Sequence, residues 1–313
     1  MNLAALAWKW TPRLPEPVAR GGFALAGDIA SWRRGRGVRR LAANLARVSP
    51  DIGQAALRRL TRRAMRAYLR YYREAFQLAN WSAERIGRTV RLIDEDRVRA
   101  DLGPAPQAVL ALGHMGNWDL AGAWATLELA PITTVAEHLR PEAVFQDFLA
   151  MRRRIGLNII PLDPGRPVMR ELRRAADAQT AWLIPLLADR DLGRGGVEVD
   201  FFGAKALFAA GPAALALATG RPLYGVAMYR QGEGYALEFS GRVEAPPRQS
   251  KARQIEAMTQ DWASFLEGAI RRHPADWHML QKVFTADLDP ERLKRARGAS
   301  GASAASRAGG GAP

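Results

Sequence analysis

The apolar positions of this chain change rhythm near residue 107. Upstream they recur at helical spacing. Over residues 54–80, Leu57, Leu60, Ala64, Tyr68, Tyr71, Ala75 and Leu78 fall three or four apart, which predicts one long helix. The first 80 or so residues read as all-helical throughout. Downstream, short unbroken apolar runs alternate with longer periodic segments. The runs at 108–113, 132–136, 158–161 and 180–188 predict buried strands, and 197–202 alternates as a half-buried strand does. Between them, 117–129, 141–154, 168–177 and 211–219 predict helices. Strands at 222–229 and 235–239 flank turn residues at 231–234, and 250–272 closes the series as a helix. Such alternation predicts an α/β fold. A central mixed, mostly buried β-sheet is flanked by helices, with a helical segment leading into it.

This pattern divides the chain into a helical segment at 1–82, an α/β unit at 83–288 and a tail at 289–313. The tail's last part, 297–313, is rich in Gly, Ala and Ser, a composition that predicts disorder. No internal repeat is evident. No stretch reaches the ~20 apolar residues of a membrane span, and the N-terminus lacks a cleavable signal pattern. The expected location is the cytoplasmic face of the cell membrane, held there peripherally.

Composition narrows the chemistry. Cysteine is absent, which excludes disulfide scaffolds, thiolate metal centres and a catalytic thiol. The 46 basic residues outnumber 31 acidic ones for a net charge of +15. Residues 33–73 hold 13 Arg against one acid, Asp51, so +12 of that charge is local. The partner is therefore anionic: nucleic acid, a membrane surface or a phosphorylated molecule. Arg58, Arg62, Arg63, Arg66 and Arg70 line the polar side of the long helix and are the candidate contacts to an anionic membrane surface, where each basic residue adds about 1 kcal/mol. The alternative is a core-packing helix with a solvated arginine face.

Three blocks carry candidate chemistry. In the first, 114–119, His114 follows a buried strand and Asp119 falls in the first turn of the next helix. Sites of α/β folds lie at strand carboxyl ends. A carboxylate on one imidazole nitrogen leaves the other as a base. The competing reading is a helix-capping Asp beside an ordinary histidine. In the second, Asp189, Arg190 and Asp191 follow the apolar strand 180–187, with Glu198 soon after. An Asp-x-Asp pair suits either a metal-dependent glycosyl transfer or a salt-bridged loop. The third, 272–281, is aromatic and polar and reads alone as a loop closing over the core. Pro212, at the start of a helix, reads as packing.

Taken together, the blocks 113–119, 188–192 with 198–203, 210–213 and 273–280 resemble the bacterial lipid acyltransferase family that includes the late acyltransferases of lipid A synthesis. The narrower likeness is to its actinobacterial branch acting on phosphatidylinositol mannosides. The resemblance spans residues 20 to 285 and implies a glycerolipid acyltransferase-like fold with a His-x4-Asp motif. It implies acyl-CoA as donor, a mannose 6-hydroxyl of a phosphatidylinositol mannoside as acceptor, and no cofactor or metal. His114 would be the base and Asp119 would orient it. Backbone N–H groups at Gly116 and Asn117, or an Arg, would meet the oxyanion. Glu137 and Arg152 are the expected acid and arginine beside the site, with Arg152 binding phosphate or pairing with Glu137. Asp189 or Glu198 would be a third carboxylate near His114. Asp189, Arg190 and Asp191 would be structural or would contact the sugar.

A nucleic-acid-binding protein would also be basic with interleaved aromatics, but it leaves the α/β half without a role. A serine thioesterase or lipase lacks its seat, since no Gly-x-Ser-x-Gly elbow is present. Hydrolysis of acyl-CoA, with water replacing the sugar, is expected only as a slow side reaction.

Overall fold

The computed structural model describes residues 7–8, 10–138, 142–163, 165–178, 180–191, 195–291 and 293. The tail read at 297–313 lies outside them. Three helices come first: α1 (Glu16–Arg33), α2 (Arg36–Val48) and α3 (Gln54–Leu78). The break between α1 and α2 falls at Arg34, whose φ of 48° ends the helix in the left-handed region. Helix α3 has two apolar destinations. Its first half packs Leu60, Ala64 and Met65 onto Val38, Leu41 and Leu45 of α2. Its second half sends Tyr71, Ala75, Phe76 and Leu78 into the core of the sheet.

Helices α4 (Ala83–Thr89) and α5 (Glu95–Leu102) bracket the short strand β1 (Val90–Leu92). Then come β2 (Gln107–Leu112), α6 (Trp118–Glu128), β3 (Ile132–Glu137), α7 (Glu142–Arg154), β4 (Leu157–Leu162), α8 (Val168–Asp177) and β5 (Trp182–Leu187). The hairpin β6 (Val197–Phe201) and β7 (Ala204–Phe208), α9 (Gly211–Thr219), β8 (Leu223–Gln231), β9 (Gly234–Val243) and α10 (Lys251–Arg272) complete the order. Seven strands form one sheet in the order β1-β9-β8-β2-β5-β3-β4. Only β8 and β9 pair antiparallel, so the sheet is mixed as expected.

The apolar runs arise because both faces of the sheet are covered. On β2, Val109 and Ala111 face a core shared with α8, α9, α10 and the hairpin. Ala108, Leu110 and Leu112 face the opposite core, with α3, α6 and α7. Two strands were not anticipated. β1 is three residues long and only edges the sheet, while β7 pairs with β6 after a sharp turn at Gly203. The turn between β8 and β9 is also tighter than expected, Gly232 and Glu233 alone.

From β2 the chain moves outward to β3 and β4, returns to set β5 against β2, and then crosses to β8 on the other flank. The carboxyl ends of β2 and β5 thus lie at the reversal of strand order, where such sheets bind ligands.

Candidate functional site

The turn after β2 is fixed by backbone fit. Gly116 has φ 64°, and a Cβ there would stand 2.4 Å from the carbonyl oxygen of Met228, so no side chain is tolerated. Asn117 then caps α6, its Oδ1 accepting from Leu120 N–H at 3.0 Å. The third block docks on this turn. Gly116 N–H donates to Asp276 O at 2.9 Å, and His278 N–H donates to His114 O at 2.7 Å. The segment read as a closing loop is therefore a clamp on the His114 turn.

His114 Nδ1 lies 2.6 Å from Asp189 Oδ1. The other oxygen of Asp189 accepts from His114 N–H at 3.0 Å and from the indole N–H of Trp277 at 2.9 Å. Asp189 is fully buried. Burial alone would raise its pKa, but the facing imidazole and the two N–H donors outweigh it and hold the carboxyl below its ordinary value. A carboxylate accepting at Nδ1 assigns the neutral ring's proton to that atom and leaves Nε2 as the basic nitrogen. Of the two candidates for a third carboxylate, Asp189 is the one at His114. Glu198 is exposed on the outer side of β6 and does not line the cavity around His114.

Asp119 does not face the imidazole, which corrects the expectation that it orients His114. Arg152 Nε and NH2 donate to its two oxygens at 2.6 and 3.2 Å, and the Tyr71 hydroxyl donates to it at 2.8 Å. Arg152 is thereby tied to Asp119 rather than to Glu137. Glu137 receives instead the NH2 of Arg190, at 2.9 Å. Burial lowers the pKa of Arg152, but the adjoining Asp119 charge more than offsets that and keeps the guanidinium charged. Burial, helped by Asp119, drives the Tyr71 phenol well above its usual value, so it stays a proton donor.

Other expectations change as well. Asn117 is wholly buried, and its Nδ2 donates to Glu74 at 2.9 Å, so its side chain is committed to protein partners. The N–H of Gly116 is bonded to Asp276 O and is not available to an oxyanion. Asp191 is buried behind Gly196 next to β7 and lies outside the cavity. Among the described residues, no three His, Asp or Glu side chains are grouped to hold a metal ion.

The cavity at these strand ends is about 200 Å³. His114, Asp119, Glu137, Arg152, Arg190 and His278 are its polar lining. Ile132, Ala136, Leu157, Phe148, Pro185 and Leu187 are its apolar lining, between the sheet and α6 and α7. The lining thus combines charged groups with apolar surface that suits hydrocarbon.

Three residues here escaped the sequence reading. His278 is buried, and its Nε2 lies 3.0 Å from Gly116 O. Burial pushes its pKa down to about 3, so the ring is neutral and Nε2 carries the proton donated to that carbonyl. Trp277 steadies Asp189. Glu74 is buried and joins Arg73, Asn117 and Tyr235. Its one legible signal was being the lone acid in residues 54–80.

The model of the bacterial lipid A biosynthesis acyltransferase family matches residues 2–286. The chain belongs to this family. A phosphatidylinositol mannoside acyltransferase of Mycolicibacterium smegmatis is 38% identical over 293 residues, covering 93% of each chain. One of Mycobacterium tuberculosis is 36% identical over 296 residues, covering 94% of this chain and 91% of that one. Family membership makes this an acyltransferase. On the turn after β2, His114 lines the cavity and is held by Asp189, while Asp119 is locked to Arg152.

The five arginines expected at a membrane do not act alike in this acyltransferase. Arg62 and Arg66 both fork onto Asp28 of α1, at 2.5 to 2.7 Å. Those hydrogen bonds pull the Asp28 carboxyl far below the usual range. Arg58 and Arg63 are exposed, and Arg70 is half-buried. The unexpected feature lies on α1, where Val18, Leu25, Ile29 and Trp32 form an exposed apolar stripe, Trp32 being 81% accessible. Among the described residues, no helix is long and apolar enough to cross a membrane.

Proposed function

We propose that this acyltransferase moves a fatty acyl chain from acyl-CoA to the 6-hydroxyl of a mannose on a phosphatidylinositol mannoside. The observation that carries the reading is the Asp189–His114 pair at a cavity lined by both polar and apolar side chains. The apolar lining takes the acyl chain, and the polar groups take the sugar. His114 Nε2 removes the proton from the mannose hydroxyl, and the sugar oxygen attacks the thioester carbonyl. The tetrahedral intermediate collapses with loss of the C–S bond, and the imidazolium returns its proton to the leaving CoA thiolate. Asp189 stabilises the imidazolium formed between the two steps. The oxyanion forms beside the N-terminal turn of α6, whose dipole favours negative charge. The names of the relatives supply the acceptor, since both are phosphatidylinositol mannoside acyltransferases.

Residues 1–82 are the part we assign to an anionic membrane surface, on the cytoplasmic side where acyl-CoA is found. The support is the apolar stripe of α1 amid arginines, a pattern that fits lipid better than nucleic acid.

The test is to incubate the protein with labelled acyl-CoA and a panel of phosphatidylinositol mannosides and lipid A precursors. An acyl ester on mannose with equimolar release of CoA is expected. Acylation of the lipid A precursors alone, or hydrolysis without transfer, overturns the reading.

A further inference from the structure

A second cavity, about 370 Å³, lies between α1, α3, α4 and the β8–β9 turn. Helical spacing sets it on the opposite face of α3 from the catalytic cavity. Arg66, Arg70 and Arg73 point one way, and Tyr68, Tyr71 and Tyr72 the other. Six guanidinium groups line it: Arg20, Arg66, Arg70, Arg73, Arg85 and Arg230. Against them stand only Glu16, Glu74 and Glu233.

Two of the six are fully engaged. Arg66 is forked on Asp28, and Arg73 is held between Glu16 and Glu74. The other four are not. Arg20 reaches Glu16 and Glu233 only at 3.9 and 4.0 Å, and Arg230 reaches Glu233 at 3.4 Å. Glu233 itself is 90% exposed and screened by water. Arg85 lies 3.9 Å over the ring of Trp81, which occupies the face of its guanidinium and leaves its N–H edge. Arg70 makes no ion pair among the described residues. Four under-compensated cations around one concavity repel one another, and a multivalent oxyanion relieves that repulsion. The planar fork of Arg matches phosphoryl oxygens two at a time. Phe23 and Trp81 add aromatic surface at the wall, suited to the C–H face of a polyol ring.

We infer that this cavity binds a phosphoryl group carried on a sugar or polyol, at a site separate from acyl transfer. The ligand chemistry has two sources, the headgroup of an anionic glycerophospholipid or a soluble phosphate ester. A duplex or a long nucleic-acid strand does not fit so small a concavity. The inference rests on the arginine geometry and stands whether or not the mannoside is the acceptor.

The experiment titrates the full chain with inorganic pyrophosphate, read by calorimetry and by the fluorescence of Trp81 and its neighbours. Wild type should saturate. The double variant R70Q/R85Q should bind about tenfold more weakly or worse. The R58Q/R63Q variant, with the same loss of charge on exposed α3 positions, should bind as wild type does. Neither pair holds a carboxylate in place, and circular dichroism checks that both variants fold. R230Q supplies a third cavity position if R70Q/R85Q does not. A second arm compares phosphatidylcholine vesicles with and without phosphatidylinositol. Phosphatidylinositol-dependent binding that falls in R70Q/R85Q assigns the site to a lipid headgroup. Competition by inositol 1-phosphate, with vesicle binding equal in the two proteins, assigns it to a soluble ester. Pyrophosphate binding that is unsaturable, or that is equally weakened by R58Q/R63Q, overturns the inference.

Discussion

Asp189 Oδ1 lies 2.6 Å from His114 Nδ1, and the partner oxygen is held by the Trp277 indole and the His114 amide. The carboxylate is thus fixed by three donors before any substrate arrives. Such a carboxylate sets the tautomer of the ring and stabilises the imidazolium, and it need not take up a proton itself.

His114→Ala and Asp189→Asn should each abolish most acyl transfer, by about 10²-fold or more, with the fold intact. The two losses should differ in kind. Asn at 189 presents N–H or C=O to Nδ1, so part of the protein holds the wrong tautomer. The rate–pH profile should therefore change shape in D189N, while H114A is low at every pH. Steady-state rates from pH 5 to 9 with circular dichroism of each variant make the check. A D189N enzyme with the wild-type profile would show that Asp189 is only a packing residue.

Asp119 predicts a different signature. It is buried against Arg152 and Tyr71, and its removal strands a buried cation. Asp119→Ala should cost about 3–5 kcal/mol of stability. D119A/R152M, which removes both charges, should recover much of that loss. Urea unfolding of the two variants decides between this and a direct part in orienting His114. If D119A keeps full stability and shifts the rate–pH profile instead, the ion-pair role fails.

Much of the architecture was legible because its cause is local. β2 and β5 are apolar without interruption since both faces are covered, and α3 shows its period because one side of it meets a core along its whole length. β1 was hidden because three residues carry no period, and its pairing with β9 joins segments about 145 residues apart. At the site, the place of His114 was visible from the strand end, but its partner was not. Closeness in sequence pointed to Asp119, whereas Arg152 and Tyr71, brought in by α7 and α3, take that carboxylate first. The same holds for Arg62 and Arg66. Their neutralisation by Asp28 spans 34 and 38 residues, so the sequence shows bare charge where the fold has ion pairs.

His278 ties acid stability to the catalytic turn. Its ring is buried among Tyr68, Tyr71 and Trp118, with Arg70 as a positive neighbour, and burial lowers its pKa to about 3. The unfolded chain takes up a proton near the ordinary value of 6.5, and the folded chain does not. Its contribution is therefore intact above pH 6.5 and falls by about 1.4 kcal/mol per pH unit below it, until the folded ring also protonates near pH 3. Asp276, whose pKa burial raises, contributes the opposite slope at lower pH. Comparison with His278→Asn isolates the histidine, because the amide can still donate to Gly116 O. The difference in unfolding free energy between wild type and H278N should change steadily from pH 6.5 to 4.5. A constant difference would mean that His278 titrates alike in both states.

The apolar stripe of α1 makes the last prediction. Leu25, Ile29 and Trp32 are exposed on one side of the helix, and each such side chain gains about 1.5–3 kcal/mol on leaving water. Arg62 and Arg66 already share Asp28, so much of their charge is spent within the protein. L25S/I29S/W32S should lower partition onto anionic vesicles by about 10²-fold or more, an effect insensitive to salt. R62Q/R66Q should lower it less than tenfold, since Asp28 already offsets part of their charge, and that smaller loss should vanish at high salt. Sedimentation with phosphatidylcholine–phosphatidylinositol vesicles at two ionic strengths reads both effects. A larger loss from the arginine pair than from the apolar triple would return the membrane contact to the basic face of α3.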